Sequence, residues 1–259
     1  MRSIRNKQTT VAMISGVLVL ACAVGACSKT PDAQTLVTEA KAYQQKGDHK
    51  AAVIQLKNAL QKNPDDMEAR YLLGTIYNET GDPQSAEKEI RKAVSLGMSR
   101  DKVASSLGKA LLMQGQFQKV LDETTQVPDA KSDAEISILR GNAYLALGKN
   151  ADAKASFESA LKDKANATDA LIGLAKHALI EKDFDTATRL SEQAINQNPK
   201  NVEAWLFKGD LLRAQGKVEP ALAAYDETLK LKPDNTSAHI VKANLEIGAG
   251  KFNEAKLDI

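Results

Sequence analysis

From Ala33 onward, small and apolar residues return at a fixed interval of 34 positions, and this interval governs the reading of the chain. Aligned on a mid-unit glycine, the units are 33–66, 67–100, 101–133, 134–167, 168–201, 202–235 and a partial unit 236–259, and five of the six complete ones are 34 residues long. Position 8 of each unit is Ala40, Gly74, Gly108, Gly141, Ala175, Gly209 and Ala243; position 20 is Ala52, Ala86, Val120, Ala153, Ala187, Ala221 and Ala255. Residues this small let two helix axes approach to roughly 8–10 Å, so each unit predicts a pair of helices crossing at these points. Larger apolar residues stand at helical spacing around them, as Leu73 and Tyr77 do around Gly74. A large side chain at Gly141 is expected to overpack its crossing.

The punctuation agrees with the period. Gly47, Gly81, Gly115, Gly148, Gly216 and Gly250 fall where a left-handed residue should end the first helix of a unit, and Asp48, Asp82 and Asp183 are placed to cap the second. Pro64, Pro199 and Pro233 should stop that second helix, with Asp66, Asn201 and Asn235 starting the next unit. Departures are Lys182 in place of a turn glycine, and Met98 and Ala165 in place of the terminal proline. Unit three is one residue short and carries Thr124 at a usually bulky position, so local irregularity is expected there.

A second pattern precedes the repeats. Residues 1–10 hold Arg2, Arg5 and Lys7 without an acid, and Val11 to Ala26 form an apolar run of 16 residues, too short for an ordinary membrane-spanning helix. This is the layout of a secretory signal. Both cysteines, Cys22 and Cys27, lie in or beside the run, so neither can staple the body. The formal charge is +2, and −1 once residues 1–26 and their three basic groups are set aside, a balance that argues against nucleic-acid binding. With 43% hydrophobic, 26% charged and only 4% aromatic residues, the body is expected to be all-α with a packed core.

Trp205, Gly209, Gly216, Ala221, Tyr225 and Pro233 of the sixth unit resemble the tetratricopeptide repeat family, and the resemblance extends over 33–259. It implies a right-handed superhelical solenoid of six complete helix-turn-helix repeats and a truncated seventh, a fold that carries no single activity. Val24-Gly25-Ala26-Cys27 resembles the lipobox of bacterial lipoproteins. That implies a signal peptide at 1–26, acylation of Cys27 and a tether at 27–32; the free stretch Ser28–Asp32 would reach roughly 17 Å at most. Cys22 is the weaker candidate, since Leu20 stands at a position usually small. Ser28 after the cysteine favours the outer membrane by enterobacterial sorting rules. Tyr43-Gln44-Gln45-Lys46-Gly47-Asp48, the run Gln55 to Pro64 and Tyr71-Leu72-Leu73-Gly74, behind a lipobox, are similar to the repeat lipoprotein of the PEP-CTERM system, associated with exosortase-type sorting and exopolysaccharide production. Members of that family are considerably longer, so this sequence reads as incomplete.

Catalytic and metal chemistry finds no residues in this pattern. His49, His177 and His239 occupy unrelated repeat positions without metal-ligand spacing, no nucleophile motif or phosphate loop occurs, and Asp65 with Asp66 is explained by capping. No enzyme activity and no cofactor is expected, unless a catalytic domain follows Ile259. Nine of the eleven aromatic residues (Tyr43, Tyr77, Phe117, Tyr144, Phe157, Phe184, Trp205, Tyr225 and Phe252) are expected to pack between helices, while Tyr71 and Phe207 fall outside those positions. The family resemblance implies a concave groove lined by positions 2, 5, 9 and 12 of the first helices. Position 5 reads Val37, Tyr71, Ser105, Ile138, Ile172, Leu206 and Ile240; position 9 reads Lys41, Thr75, Lys109, Asn142, Lys176, Asp210 and Asn244. No unit pairs a position-5 lysine with a position-9 asparagine, so the carboxylate clamp of chaperone-binding members is absent. The expected partner is an envelope protein or peptide segment lying along Tyr71, Ile138 and Ile172, with Lys109 and Asn142 bonding its backbone or carboxylates and Lys41 and Lys176 adding basic spots. The expected function is a membrane-anchored scaffold in PEP-CTERM-linked sorting or export. The alternatives are a lipoprotein assisting secretin or pilus assembly, or the substrate-selecting arm of a longer enzyme.

Overall fold

A computed structural model describes residues 31–125, 133–162 and 167–256 of the chain. The signal and lipobox readings, Cys27 among them, lie outside these residues. The described residues form fourteen helices and no strand: α1 (Ala33–Gln45), α2 (His49–Lys62), α3 (Met67–Glu79), α4 (Pro83–Ser95), α5 (Arg100–Met113), α6 (Phe117–Thr125), α7 (Ala134–Ala146), α8 (Asn150–Ala160), α9 (Ala167–Ile180), α10 (Phe184–Gln197), α11 (Val202–Ala214), α12 (Val218–Leu231), α13 (Thr236–Gly248) and α14 (Phe252–Ala255). Odd and even helices pair as antiparallel hairpins, and each hairpin packs on the next, as the period predicts. None of the described helices is long and apolar enough to cross a membrane.

The caps form where the sequence places them. Backbone N–H groups of Ala51, Ser85 and Thr186 donate to Asp48, Asp82 and Asp183 at 3.0–3.1 Å, and those of Ala69, Ala204 and Ala238 donate to Asp66, Asn201 and Asn235 at 2.9–3.0 Å. Asp32 and Asp133 cap α1 and α7 in the same way. The side-chain and backbone hydrogen bonds from Ser85 hold the Asp82 carboxyl below its ordinary value, and those from Thr186 lower Asp183. Six of the turns between paired helices use glycine at positive φ; the seventh uses Lys182 at φ 60°, a conformation in which a Cβ crowds the following carbonyl.

At the repeat boundaries a second device recurs. Pro64 restricts the residue before it to extended backbone, and Asn63 (φ −135°, ψ 90°) ends α2 accordingly. The proline carbonyl is then left without a helical N–H. A side chain at position 4 of the next unit supplies one: Arg70 donates to the Pro64 oxygen at 3.1 and 3.3 Å, Trp205 Nε1 to Pro199 at 2.9 Å, and His239 Nε2 lies 2.9 Å from the Pro233 oxygen, which requires its proton on Nε2. Where Met98 and Ala165 replace the proline, position 4 is the apolar Ala104 and Leu171. Repeat two closes instead on Gly97 at φ 108°, with Met98 N–H returning to the Ala93 carbonyl at 3.1 Å.

The core repeats with the helices. Position 20 is buried in every unit, and opposite the small residue at position 8 lies position 24 of the paired helix: Ile90 over Gly74, Phe157 over Gly141, Tyr225 over Gly209. A Cβ on Gly141 would stand 2.5–2.7 Å from three carbons of the Phe157 ring, so the close approach depends on glycine. Gly173, at position 6 of the following unit, meets the same ring carbons. One slot is therefore shared by position 24 of one repeat and position 6 of the next. In repeat three the slot holds only Thr124, and Leu139 from repeat four fills it, its Cδ1 being 3.1 Å from where a Gly108 Cβ would lie. Thr124 is buried, and its hydroxyl donates within its own helix to the Val120 carbonyl at 2.7 Å. In repeat five position 24 is the buried Ser191, and Phe207 occupies position 6 of repeat six.

Two aromatic expectations are corrected by this packing. Phe207 is 4% exposed and belongs to the core formed by α9, α10 and α11. Phe252 is 62% exposed, since α14 packs mainly on α13 alone. Among the others Phe157 and Tyr225 are fully buried, and Tyr43, Tyr77, Phe117, Tyr144, Phe184 and Trp205 are half-buried.

Alanine for glycine inside a helix ordinarily gains about 1 kcal/mol, but crowding a closed ring slot costs roughly 1–3 kcal/mol. Gly141→Ala and Gly173→Ala should therefore each lower stability in urea titration, and Phe157→Leu should recover part of the loss when combined with either. Gly248→Ala, with nothing within 4 Å of the added carbon, should not destabilise. Lys182→Gly should raise stability by about 1 kcal/mol, read as an increase in the thermal midpoint.

Candidate functional site

The odd-numbered helices line up in chain order, and their positions 2, 5 and 9 make the candidate groove. The structure separates the residues expected there into three kinds. Lys41 and Lys176 are engaged within the fold: Lys41 Nζ lies 2.7 Å from Glu68 Oε1 and Lys176 Nζ 2.6 Å from Glu203 Oε1, each pair joining position 9 of one repeat to position 2 of the next. Ile172 is 2% exposed within the α9–α11 core, and Ile138 is half-buried beside Ala134, Ala160 and Ala170; these two form wall rather than open surface. Tyr71, Lys109 and Asn142 remain accessible to different degrees, Lys109 exposed and the other two half-buried.

Tyr71 sits in a junction that its position alone does not reveal. Its hydroxyl is 3.2 Å from Ser106 Oγ on α5, and Lys102 Nζ stands 5.8 Å from its ring centroid, close enough for the ring quadrupole to attract the cation. Asn78, buried on α3, donates from Nδ2 to the Ser106 carbonyl at 2.8 Å and ties the two helices together. Lys102, Ser106 and Asn78 are thus site neighbours absent from the sequence-derived set. Lys102 and Asn78 could have been found, since they occupy groove positions 2 and 12; Ser106, at position 6, depends on the register between repeats.

Farther along, position 2 is acidic: Glu135, Asp169 and Glu203 stand on α7, α9 and α11. Burial pushes the Asp169 carboxyl above its ordinary value, the Asn201 amide at 3.2 Å pulls it back, and the charges of Glu203 and Glu135 raise it further. Position 2 therefore carries a cation in repeat three and carboxylates in repeats four to six. Among the described residues no group of His, Cys, Asp and Glu is arranged to hold a metal ion, and the three histidines lie on α2, α9 and α13.

Tetratricopeptide repeat models match residues 37–101 and 138–189, and a second model of the same repeat matches 178–245, together well over half of the chain. The type IV pilus assembly protein PilF of Pseudomonas aeruginosa is 24% identical over 166 residues, covering 62% of this chain and 66% of that protein. A solved tetratricopeptide repeat protein from Parabacteroides merdae superposes with a TM-score of 0.65 at 20% identity, over 87% of this chain and 90% of the other. PilW, a widely conserved type IV pilus biogenesis factor, does so with a TM-score of 0.63 at 15% identity, over 81% and 97%. Other curated relatives are far longer, the chain spanning 7%, 13% and 23% of the first three. At such identities the structural likeness concerns the fold. The stacked hairpins and the repeat matches together establish that this chain belongs to the tetratricopeptide repeat family.

Proposed function

We propose that the chain is a lipid-anchored scaffold of the cell envelope, held at Cys27 and presenting its groove to segments of other proteins. The observation that carries this reading is the pairing of a lipobox-like Val24-Gly25-Ala26-Cys27 with a repeat body that begins at Ala33. In this reading residues 1–26 are removed as a signal peptide, Cys27 becomes the acylated terminus and residues 27–32 form a short tether to the outer membrane. Several acyl chains hold a protein stably where one does not. In this reading the repeat body supplies extended contact surface, and the work it does is holding partners together.

Two settings suit such a scaffold. Similarity of the first two repeats to the PEP-CTERM repeat lipoprotein favours exosortase-linked sorting or exopolysaccharide export. Likeness to PilF and PilW over most of the repeat body favours assistance in pilus or secretin assembly. The proteins recovered with the chain distinguish them: sorting and polymer-export components in the first case, pilus components in the second.

Labelling cells with radioactive palmitate should mark the native chain and leave Cys27→Ala unlabelled and shifted to the soluble fraction; equal incorporation in both would remove the anchor from the proposal. Cross-linking in intact envelopes followed by affinity recovery should return a defined set of partners. Tyr71→Ala combined with Lys109→Glu should reduce that recovery severalfold while the helical circular dichroism spectrum is retained at the assay temperature, and unchanged recovery would mean that the groove is not the contact surface.

A further inference from the structure

We propose that the groove face of the third repeat, formed by Lys102, Ser106 and Lys109 of α5 with Tyr71 of α3, receives an acidic peptide segment of a partner protein. This rests on the scaffold reading and names the chemistry of what the scaffold holds.

The argument starts from an interaction that two junctions make and a third does not. Lysine at position 9 meets glutamate at position 2 of the following repeat in Lys41–Glu68 and Lys176–Glu203, and in both cases the residues are 27 apart. The same residue types recur as Lys109 and Glu135, but 26 apart, because repeat three is one residue short. Here α7 is drawn over α5 by Leu139, which fills the slot beside Gly108 that Thr124 leaves open. No ion pair forms between Lys109 and Glu135, and both are exposed. The compensation that repairs the core thus leaves a groove cation unneutralised.

Lys102 adds a second. It lies two helical turns from Lys109, on the same face of α5, about 10 Å away along the axis. Neither lysine has a carboxylate within ion-pair distance among the described residues; Lys102 stands over the Tyr71 ring instead. Between them stand the half-buried hydroxyls of Ser105 and Ser106, with the Tyr71 hydroxyl 3.2 Å from Ser106 Oγ. The nearest groove carboxylate on the preceding repeat, Glu68, is already taken by Lys41. Asp101 on α5 and Asp133 and Glu135 at the start of α7 are exposed, and none of them forms an ion pair with either lysine. Two free cations, hydroxyl donors and a ring in one junction match a segment that brings carboxylates and some apolar surface.

The test is fluorescence anisotropy with the whole chain and a fluorescein-labelled peptide of repeated Ser-Glu-Leu-Glu, beside the same peptide with glutamine for glutamate. The glutamate peptide should bind and the glutamine peptide should bind at least tenfold more weakly. Lys102→Glu with Lys109→Glu should weaken the glutamate peptide by at least tenfold, equivalent to about 1.4 kcal/mol, with an unchanged helical circular dichroism spectrum. The control pair Lys57→Glu and Lys88→Glu, exposed lysines elsewhere with the same change in net charge, should leave affinity within twofold. Equal weakening by the control pair, equal binding of the two peptides, or no binding by the native chain would overturn the proposal. So would finding that the Lys102/Lys109 change instead abolishes binding to phosphatidylglycerol vesicles or dissociates a dimer while peptide binding persists. Envelope partners still recovered by the double lysine variant at native levels would refute the acidic-segment site and leave the scaffold reading standing.

Discussion

The rest of the structure depends on how the slot above the small residue at position 8 is filled. Two helices can cross closely only because Gly74, Gly141 or Gly209 offers no side chain, and the space so created admits one bulky group. That group need not come from the same repeat. Phe157 fills the slot from within its own hairpin and extends to Gly173 of the next, whereas Leu139 reaches back from repeat four over Gly108. At one boundary a large residue at position 24 meets a small one at position 6, as Phe157 does with Gly173, and at the next the sizes are reversed, with Ser191 at position 24 and Phe207 at position 6. Burial of a side chain of this size contributes about 1.5–3 kcal/mol, and because the slot is shared, the same contact that closes a hairpin also joins it to its neighbour.

Polar contacts at the boundaries follow the same logic of compensation. A proline that ends a second helix strands its own carbonyl, and three chemically different side chains, Arg70, Trp205 and His239, satisfy it from the same position. These prolines are exposed, so water can also meet their carbonyls and each hydrogen bond contributes only about 1 kcal/mol net; what recurs at position 4 is an available N–H rather than a particular residue. Boundaries closed without proline, at Met98 and Ala165, carry alanine and leucine there instead. Register, crossing and boundary chemistry are therefore set by pairs of residues rather than by single conserved-looking positions.

This explains which parts of the molecule the sequence made legible. Hairpin number, helix ends, the small residues at positions 8 and 20 and the caps at Asp48, Asp82 and Asp183 are properties of one repeat, repeated in phase, and period alone exposes them. Phe207 falls outside the packing positions of a single repeat, yet it is buried among residues of α9, α10 and α11, two of which belong to the previous repeat. Lys41 and Lys176 read as groove cations because their position is groove-lining, but Glu68 and Glu203 engage them from the next repeat. The expected contact residue Ile172 is buried for a related reason: neighbouring first helices press together at that point. What escaped was consistently a relation across a boundary, and such relations depend on superhelical register that no single unit encodes.

The third repeat brings these relations together. Loss of one residue and a small Thr124 would, taken alone, be expected to weaken a solenoid at its middle. Leu139 fills the slot from α7, and on the groove side of the same two helices Lys109 and Glu135, 26 residues apart rather than 27, form no ion pair. A core repair of this kind conserves buried apolar volume but does not conserve charge pairing, because hydrophobic contact is non-directional whereas an ion pair needs its two groups within about 4 Å. Shortening the chain by one residue therefore has different consequences on the two sides of the same helix: inside, the slot is filled as elsewhere; outside, Lys109 and Glu135 stand apart where Lys41–Glu68 and Lys176–Glu203 are joined. The irregular repeat, which looks like the weak point of the array, is for that reason the place where its surface differs most from the repeats around it.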